Sequence, residues 1–384
     1  MAQDRCPLLN ESTTSASAGG GLLAVADGAV GSQLPAGRLA RALATLDPGW
    51  FAWVMASGIV SIGADLIGYG VLSQVVLGVT VAAFAGLTLA YAARIIWFRG
   101  FFRESLRDPT TAMAYFTVAA GTGVVATRVS LAVHPDVTLG LGAGAAVVWL
   151  VFSYGLPSSI VASARRPVLG EINGTWLIWV VATQSLSIVA AALTPVAPSA
   201  AFRAQLPVVA VCLWGVGVML YVILIVIIFL RLLLVEVTPA EMGPAYWIAM
   251  GATAISVRAA AGILVLHGPH AEALVRQLRP FMVGLSVVLW AFGTWWIPLL
   301  VAFGLWRYVA KGYSRAFEPR LWSVVFPLGM YTVASWTLGR AAGFDFMVSI
   351  ARVWVFVGLV SWAAVLALMG GTFALNLASG RPAK

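Results

Sequence analysis

Four charged residues sit where a long apolar stretch would ordinarily exclude them. Arg128, Arg258, Arg340 and Asp65 lie inside or at the ends of runs of roughly 20 apolar residues, the length that crosses a bilayer. A charge at mid-bilayer costs at least ~2.5 to 3.5 kcal/mol on insertion scales, so each marks either a partner or a site. If the helices that carry them face one another, the three arginines form a cationic vestibule that concentrates anions by field focusing. Taken singly, Arg128 and Arg340 also suit snorkelling to headgroups, a reading that fits the deeper Arg258 less well. Asp65, the acid inside a span, is a salt-bridge partner for Arg258 or a proton site. Catalytic chemistry has less to work with. His134, His267 and His270 fall between the apolar runs, Lys311 and Lys384 lie outside them, and the runs hold no Ser/His/Asp set or paired carboxylates. The sequence therefore calls for no cofactor and no metal. An embedded enzyme or a sensor, the alternative from another class, would need a convergent reactive set that is not visible.

The elements that must position these charges follow from composition. Of 384 residues, 61% are hydrophobic and 10% charged, far from the balance of a soluble domain. An all-α integral membrane protein is expected, with ten transmembrane helices near 49–69, 71–98, 111–131, 138–162, 174–194, 206–235, 243–265, 280–306, 320–340 and 348–370. Residues 1–45 read as a disordered tail, 46–372 as the transmembrane domain and 373–384 as a short C-terminal tail. The net charge of +9 lies in short loops beside apolar spans, which argues for topology and against nucleic acid. Arg94, Arg99, Arg165, Arg166, Arg231, Arg307, Arg315 and others gather on one side of the ten-span scheme, which puts both termini in the cytoplasm of a cell-membrane protein.

The odd-numbered spans share features that suggest an inner ring. WVMASGIVS from Trp53 and WVVATQSLS from Trp179 align, with Ser57 opposite Thr183 and Ser61 opposite Ser187. Each odd span also carries helix-weakening residues: Gly58, Gly121, the polar run Thr183 to Ser185, Gly251, and Pro327 with Gly329. Residues at i, i+4 and i+7 share a helix face. On that basis Ser57, Gly58, Ser61, Gly121, Thr183, Ser187, Gly251 and Gly329 are expected to line a passage between five helical hairpins.

Three segments carry a family resemblance: DPGWFAWVMASGIVS from Asp47, YWIAMGATAIS from Tyr246 and WSVVFPLGM from Trp322. With the number and order of spans, they make the chain resemble the tellurite-resistance/dicarboxylate transporter family. That family includes the bacterial tellurite-resistance permease, fungal malate and sulfite transporters and plant slow anion channels. The resemblance, covering about residues 45–375, implies five hairpins around a central anion pore, trimers in which each subunit keeps its own pore, and a pore-occluding phenylalanine in the ninth helix. Phe326, immediately before Pro327, matches that phenylalanine. Small anions are the implied cargo, with C4-dicarboxylates such as malate first, and sulfite, tellurite or simple inorganic anions behind.

Overall fold

The computed structural model describes residues 35, 37–130, 135–162, 169–268, 271–314 and 316–378. The expected tail up to residue 34, His134, Arg165, Arg166, His270, Arg315, Lys384 and everything beyond residue 378 lie outside that range. Among the described residues ten helices are long and apolar enough to cross a membrane. They are α1 (Pro48–Ile67), α2 (Gly70–Trp97), α3 (Thr111–Val129), α4 (Pro135–Ala162), α5 (Gly174–Leu193), α6 (Ala200–Leu234), α7 (Pro244–Leu264), α8 (Ala271–Ala310), α9 (Pro319–Ala342) and α10 (Asp345–Asn376).

Three of these differ from the sequence expectation. α6 and α8 start six to nine residues earlier, and α10 runs past residue 372, because polar or less apolar turns continue the helix beyond the apolar run that defines a span. Pro207 and Pro280 sit within continuous helix near those early starts.

The odd helices form the inner ring. Between 67% and 83% of the most apolar stretch of each odd span is buried, against 22% to 39% for the even spans, so the even helices face lipid. Contacts close the ring in the order α1, α3, α5, α7, α9 and back to α1, and each even helix packs on the odd helix before it. All five inner helices therefore run in one direction. Their starts define the N end of the ring and their finishes the C end.

Close approach at each seam of the ring depends on a glycine: Gly58 and Gly121 between α1 and α3, Gly123 between α3 and α5, Gly174 between α5 and α7, Gly251 between α7 and α9, and Gly329 between α9 and α1. Small residues let helix backbones meet where no hydrophobic force drives them together. Gly174 is the most demanding. A Cβ there would lie 2.5 Å from the carbonyl carbon of Ala245 and 2.7 Å from the amide nitrogen of Tyr246, both backbone atoms. Neither can swing aside, so α5 and α7 would have to part. Gly174→Ala is expected to lower stability by at least ~2 to 3 kcal/mol, read as a lower thermal midpoint and a smaller monodisperse fraction in detergent. An unchanged midpoint would show that this seam has slack.

Candidate functional site along the bundle axis

Among the described residues two cavities lie inside the ring, each lined by all five inner helices. The one at the N end, about 30 Å³, is bordered by Asp47, Thr117, Thr175, Ala245, Arg320 and Ser323 among others. The one toward the C end, about 60 Å³, is bordered by Ile59, Thr127, Ser185, Ile255, Arg258 and Met330 among others. Helical spacing connects them. Ala52 and Ile59 line opposite cavities on α1, and Met55 falls on the same face between them. The same holds for Ala120 between Thr117 and Val124, for Val181 between Ile178 and Ser185, and for Phe326 between Ser323 and Met330. Ala252 supplies the corresponding position on α7. All five are 3% exposed or less, so one apolar layer separates the two cavities.

Electrostatics differ at the two ends. Five parallel helix N-termini put partial positive charge at the N end. Side-chain caps temper it: Asp47 accepts from the Gly49 amide at 2.6 Å, Asp108 from Thr111 at 3.1 Å and Asn173 from Thr175 at 2.9 Å. Five C-termini put partial negative charge at the other end. There Arg258 is the sole charged residue lining the cavity among those described. Among the described residues it makes no hydrogen bond or ion pair.

The polar residues expected on the passage mostly point the other way. Ser57 accepts from the Trp362 indole at 2.9 Å, Thr183 from Trp149 at 2.8 Å, and Ser187 donates to the Ala210 carbonyl at 2.7 Å. Trp290 to Ser335 and Trp214 to the Ser256 carbonyl repeat the pattern. Four outer helices thus reach with an indole to the inner helix of the next hairpin: α4 to α5, α6 to α7, α8 to α9 and α10 to α1. In lipid a buried hydroxyl needs such a partner, which is why these polar residues fasten hairpins together.

Ser61 exchanges hydrogen bonds with Ser73 on α2, and Arg128 joins them, donating Nε to Ser61 at 3.2 Å and Nη2 to Ser73 at 2.9 Å. Asp65 pairs with this buried Arg128 at 3.5 Å, correcting the expected pairing with Arg258. The α1, α2 and α3 ends are clamped by that cluster. Arg340 is exposed near the end of α9 and does not border the cavity. Of the three arginines expected to share a vestibule, the cavity receives Arg258 alone. The glycine positions are the ring seams described above, with Pro327 packed against Gly251. No group of three or more His, Cys, Asp or Glu able to hold a metal occurs among the described residues.

Sequence reasoning passed over two features. Ser185 was legible as part of a polar run, yet it is the member of that run that borders the cavity. The starts of the inner helices also form a repeat, Asp47-Pro48, Asp108-Pro109, Asn173-Gly174, Gly243-Pro244 and Glu318-Pro319, one per hairpin. Pro is pre-organised for the first helical position and Asp or Asn for the cap, so this punctuation was a sharper sign of fivefold repetition than the matching span interiors.

A ring of five parallel helices enclosing axial cavities, with a lone cation in one of them, defines a membrane channel or transporter for anions. The chain belongs to the voltage-dependent anion channel family (SLAC1), whose profile matches residues 45–370. An uncharacterized membrane protein of Mycobacterium tuberculosis is 42% identical over 150 residues, which are 39% of this chain and 75% of that protein. An uncharacterized transporter of Methanocaldococcus jannaschii is 24% identical over 297 residues, covering 75% of this chain and 82% of the relative. A second transporter of the same organism is 25% identical over 132 residues, 34% of this chain and 36% of its own length.

Proposed function

We propose that small anions cross the membrane along the ring axis and that Phe326, beside Pro327, is the gate. The observation that carries this reading is the stacking of two cavities on one axis with a single apolar layer between them, to which Phe326 contributes the largest side chain. A hydrated anion in either cavity would have to shed water to pass that layer, and dewetted apolar constrictions of this kind close pores. Pro327 has no amide hydrogen to offer the carbonyl of Ser323, which loosens the helix at the gate. The N end, rich in exposed arginines, belongs to the cytoplasmic side in this reading, and the trimer implied by the family resemblance would keep one passage per subunit.

Among cargoes, a singly charged anion suits the passage best, because the cavity beyond the gate offers one free guanidinium and little volume. Malate, with two charges and a longer skeleton, would require both cavities to widen, and sulfite and tellurite stand between these extremes. Flux measured in liposomes with chloride, formate, sulfite, malate and an organic cation tests the proposal. Chloride and formate are expected to pass at least tenfold faster than malate, and the cation not at all. Passage of the cation alone would overturn the anion reading, and malate passing fastest would overturn the ranking.

A further inference from the structure

We infer that Arg258 and Ser185 together form an anion-binding site inside the bundle, between the Phe326 layer and the C end, that takes one singly charged planar oxyanion such as a small carboxylate. The inference builds on the axis being an anion passage and adds a place where the anion stops.

Two unpartnered groups share the cavity. Arg258 carries a charge at membrane depth without a counter-ion among the described residues, an arrangement that is costly unless something mobile satisfies it. Ser185 is 2% exposed, and its hydroxyl has no hydrogen-bond partner among the described residues. Helical hydroxyls in apolar surroundings usually bond back to a carbonyl one turn earlier. Thr183 does so to Trp179, Thr253 to Met250 and Ser256 to Ala252. Ser185 does not, and its free donor borders the cavity that Arg258 enters.

The surroundings favour an anion over bulk water at this point. Gly262, one turn beyond Arg258, leaves room for the guanidinium: a Cβ there would lie 2.8 Å from Nη1. Ile59, Ile255 and Met330 make most of the remaining wall apolar, Thr127 excepted, which strengthens any charge-assisted bond formed inside. Five helix C-termini would otherwise repel an anion at this end, and Arg258 offsets them.

The donors also define the ligand. A guanidinium is a planar fork that matches a planar oxyanion, and its single charge balances one negative charge but leaves a second exposed to an apolar wall. The cavity's volume of about 60 Å³ matches roughly two waters at their ~30 Å³ share of the liquid, space for a formate-sized ion.

Thermal unfolding of the purified full-length protein in detergent tests the site apart from transport, with gluconate replaced stepwise by formate at constant ionic strength. The midpoint should rise and saturate with formate, as binding to the folded state requires, and sulfate should give no comparable rise. Arg258→Gln should abolish the formate shift. Ser185→Ala, which removes a hydroxyl with no partner among the described residues, should raise the half-saturating concentration about tenfold. Arg276→Gln, an exposed charge remote from the cavity, is the control for net charge. An undiminished shift in Arg258→Gln, or equal shifts with formate and sulfate, would overturn the site. If Arg258→Gln does not fold, Ser185→Ala and the formate-to-sulfate comparison in the unaltered protein decide it alone. Protein that binds formate yet passes no anion in liposomes keeps the site and loses the passage. Protein that passes anions without saturation and shows no formate shift keeps the passage and loses the site.

Discussion

Phe326→Ala should raise basal anion flux about 10- to 100-fold, the factor that follows from removing a dehydration barrier of ~1.5 to 3 kcal/mol. The ring is 2% exposed and occupies the layer between the two cavities, with Met55, Ala120, Val181 and Ala252 at the same depth. Alanine would leave a gap continuous with the cavities on either side, and water entering it would let anions keep part of their hydration. Truncating a buried phenylalanine in a tight core costs about 3 to 5 kcal/mol. Here the vacated space opens onto existing cavities, so the loss should lie at the lower end, and flux must be compared on protein that elutes as one folded species. Phe326→Leu, which still fills much of the layer, should give a smaller rise. Phe281→Ala, on the lipid-facing side of α8, should give none. Lower or unaltered flux through a well-folded Phe326→Ala protein would remove the ring from its role as gate.

The outcome bears on what a membrane sequence discloses. Ten spans, and the alternation of inner and outer helices, were readable because bilayer thickness imposes a length on every apolar run and because short basic loops break the runs. The inner wall was not readable from polarity. Ser57, Ser61, Thr183 and Ser187 looked like the lining of a polar passage, yet they bond to neighbouring helices, across hairpins to Trp362 and Trp149 and within them to Ser73 and Ala210. Inside a bundle a hydroxyl is as valuable between helices as on a water-filled axis, and a one-dimensional periodicity gives a face without saying which neighbour it meets. The layer between the cavities and the wall of the C-end cavity are mostly Ala, Val, Ile, Met and Phe, residue types that look like packing everywhere else in the chain. Arg258 stood out because no plainer role absorbed it. Arg128, equally conspicuous, was absorbed by Asp65, Ser61 and Ser73.

Arg231→Met is expected to destabilise the protein by about 2 to 4 kcal/mol, a large effect for a residue that counts, in a tally of basic loops, as a mere marker of membrane side. The structure buries it at 1% exposure at the end of α6. Its Nε donates to the Gly170 carbonyl at 3.0 Å, Nη1 to the Tyr246 hydroxyl, and Nη2 pairs with Glu241 at 3.8 Å. One guanidinium thus ties an outer helix to the segments that precede α5 and begin α7. Arg94 and Arg307 act alike: Arg94 reaches the Leu46 carbonyl at 2.7 Å and Tyr115 at 2.8 Å, and Arg307 reaches the Met242 carbonyl at 2.9 Å and Glu318 at 3.3 Å. Methionine keeps much of the volume but strands the Gly170 carbonyl and the Tyr246 hydroxyl, while Glu241, half exposed, can be resolvated. Tyr246→Phe, which removes a single bond, should cost nearer ~1 kcal/mol. Lysine keeps the charge and three donors but gathers them on one nitrogen, which cannot span the partners that Nε, Nη1 and Nη2 reach separately, so Arg231→Lys should recover only a minor part of the loss. Thermal or denaturant unfolding in detergent measures all three. Full recovery by lysine would mean that charge alone matters at this position, and the start of α7, with Arg258 three turns further on, would then be held by Gly174 and its seam with α5.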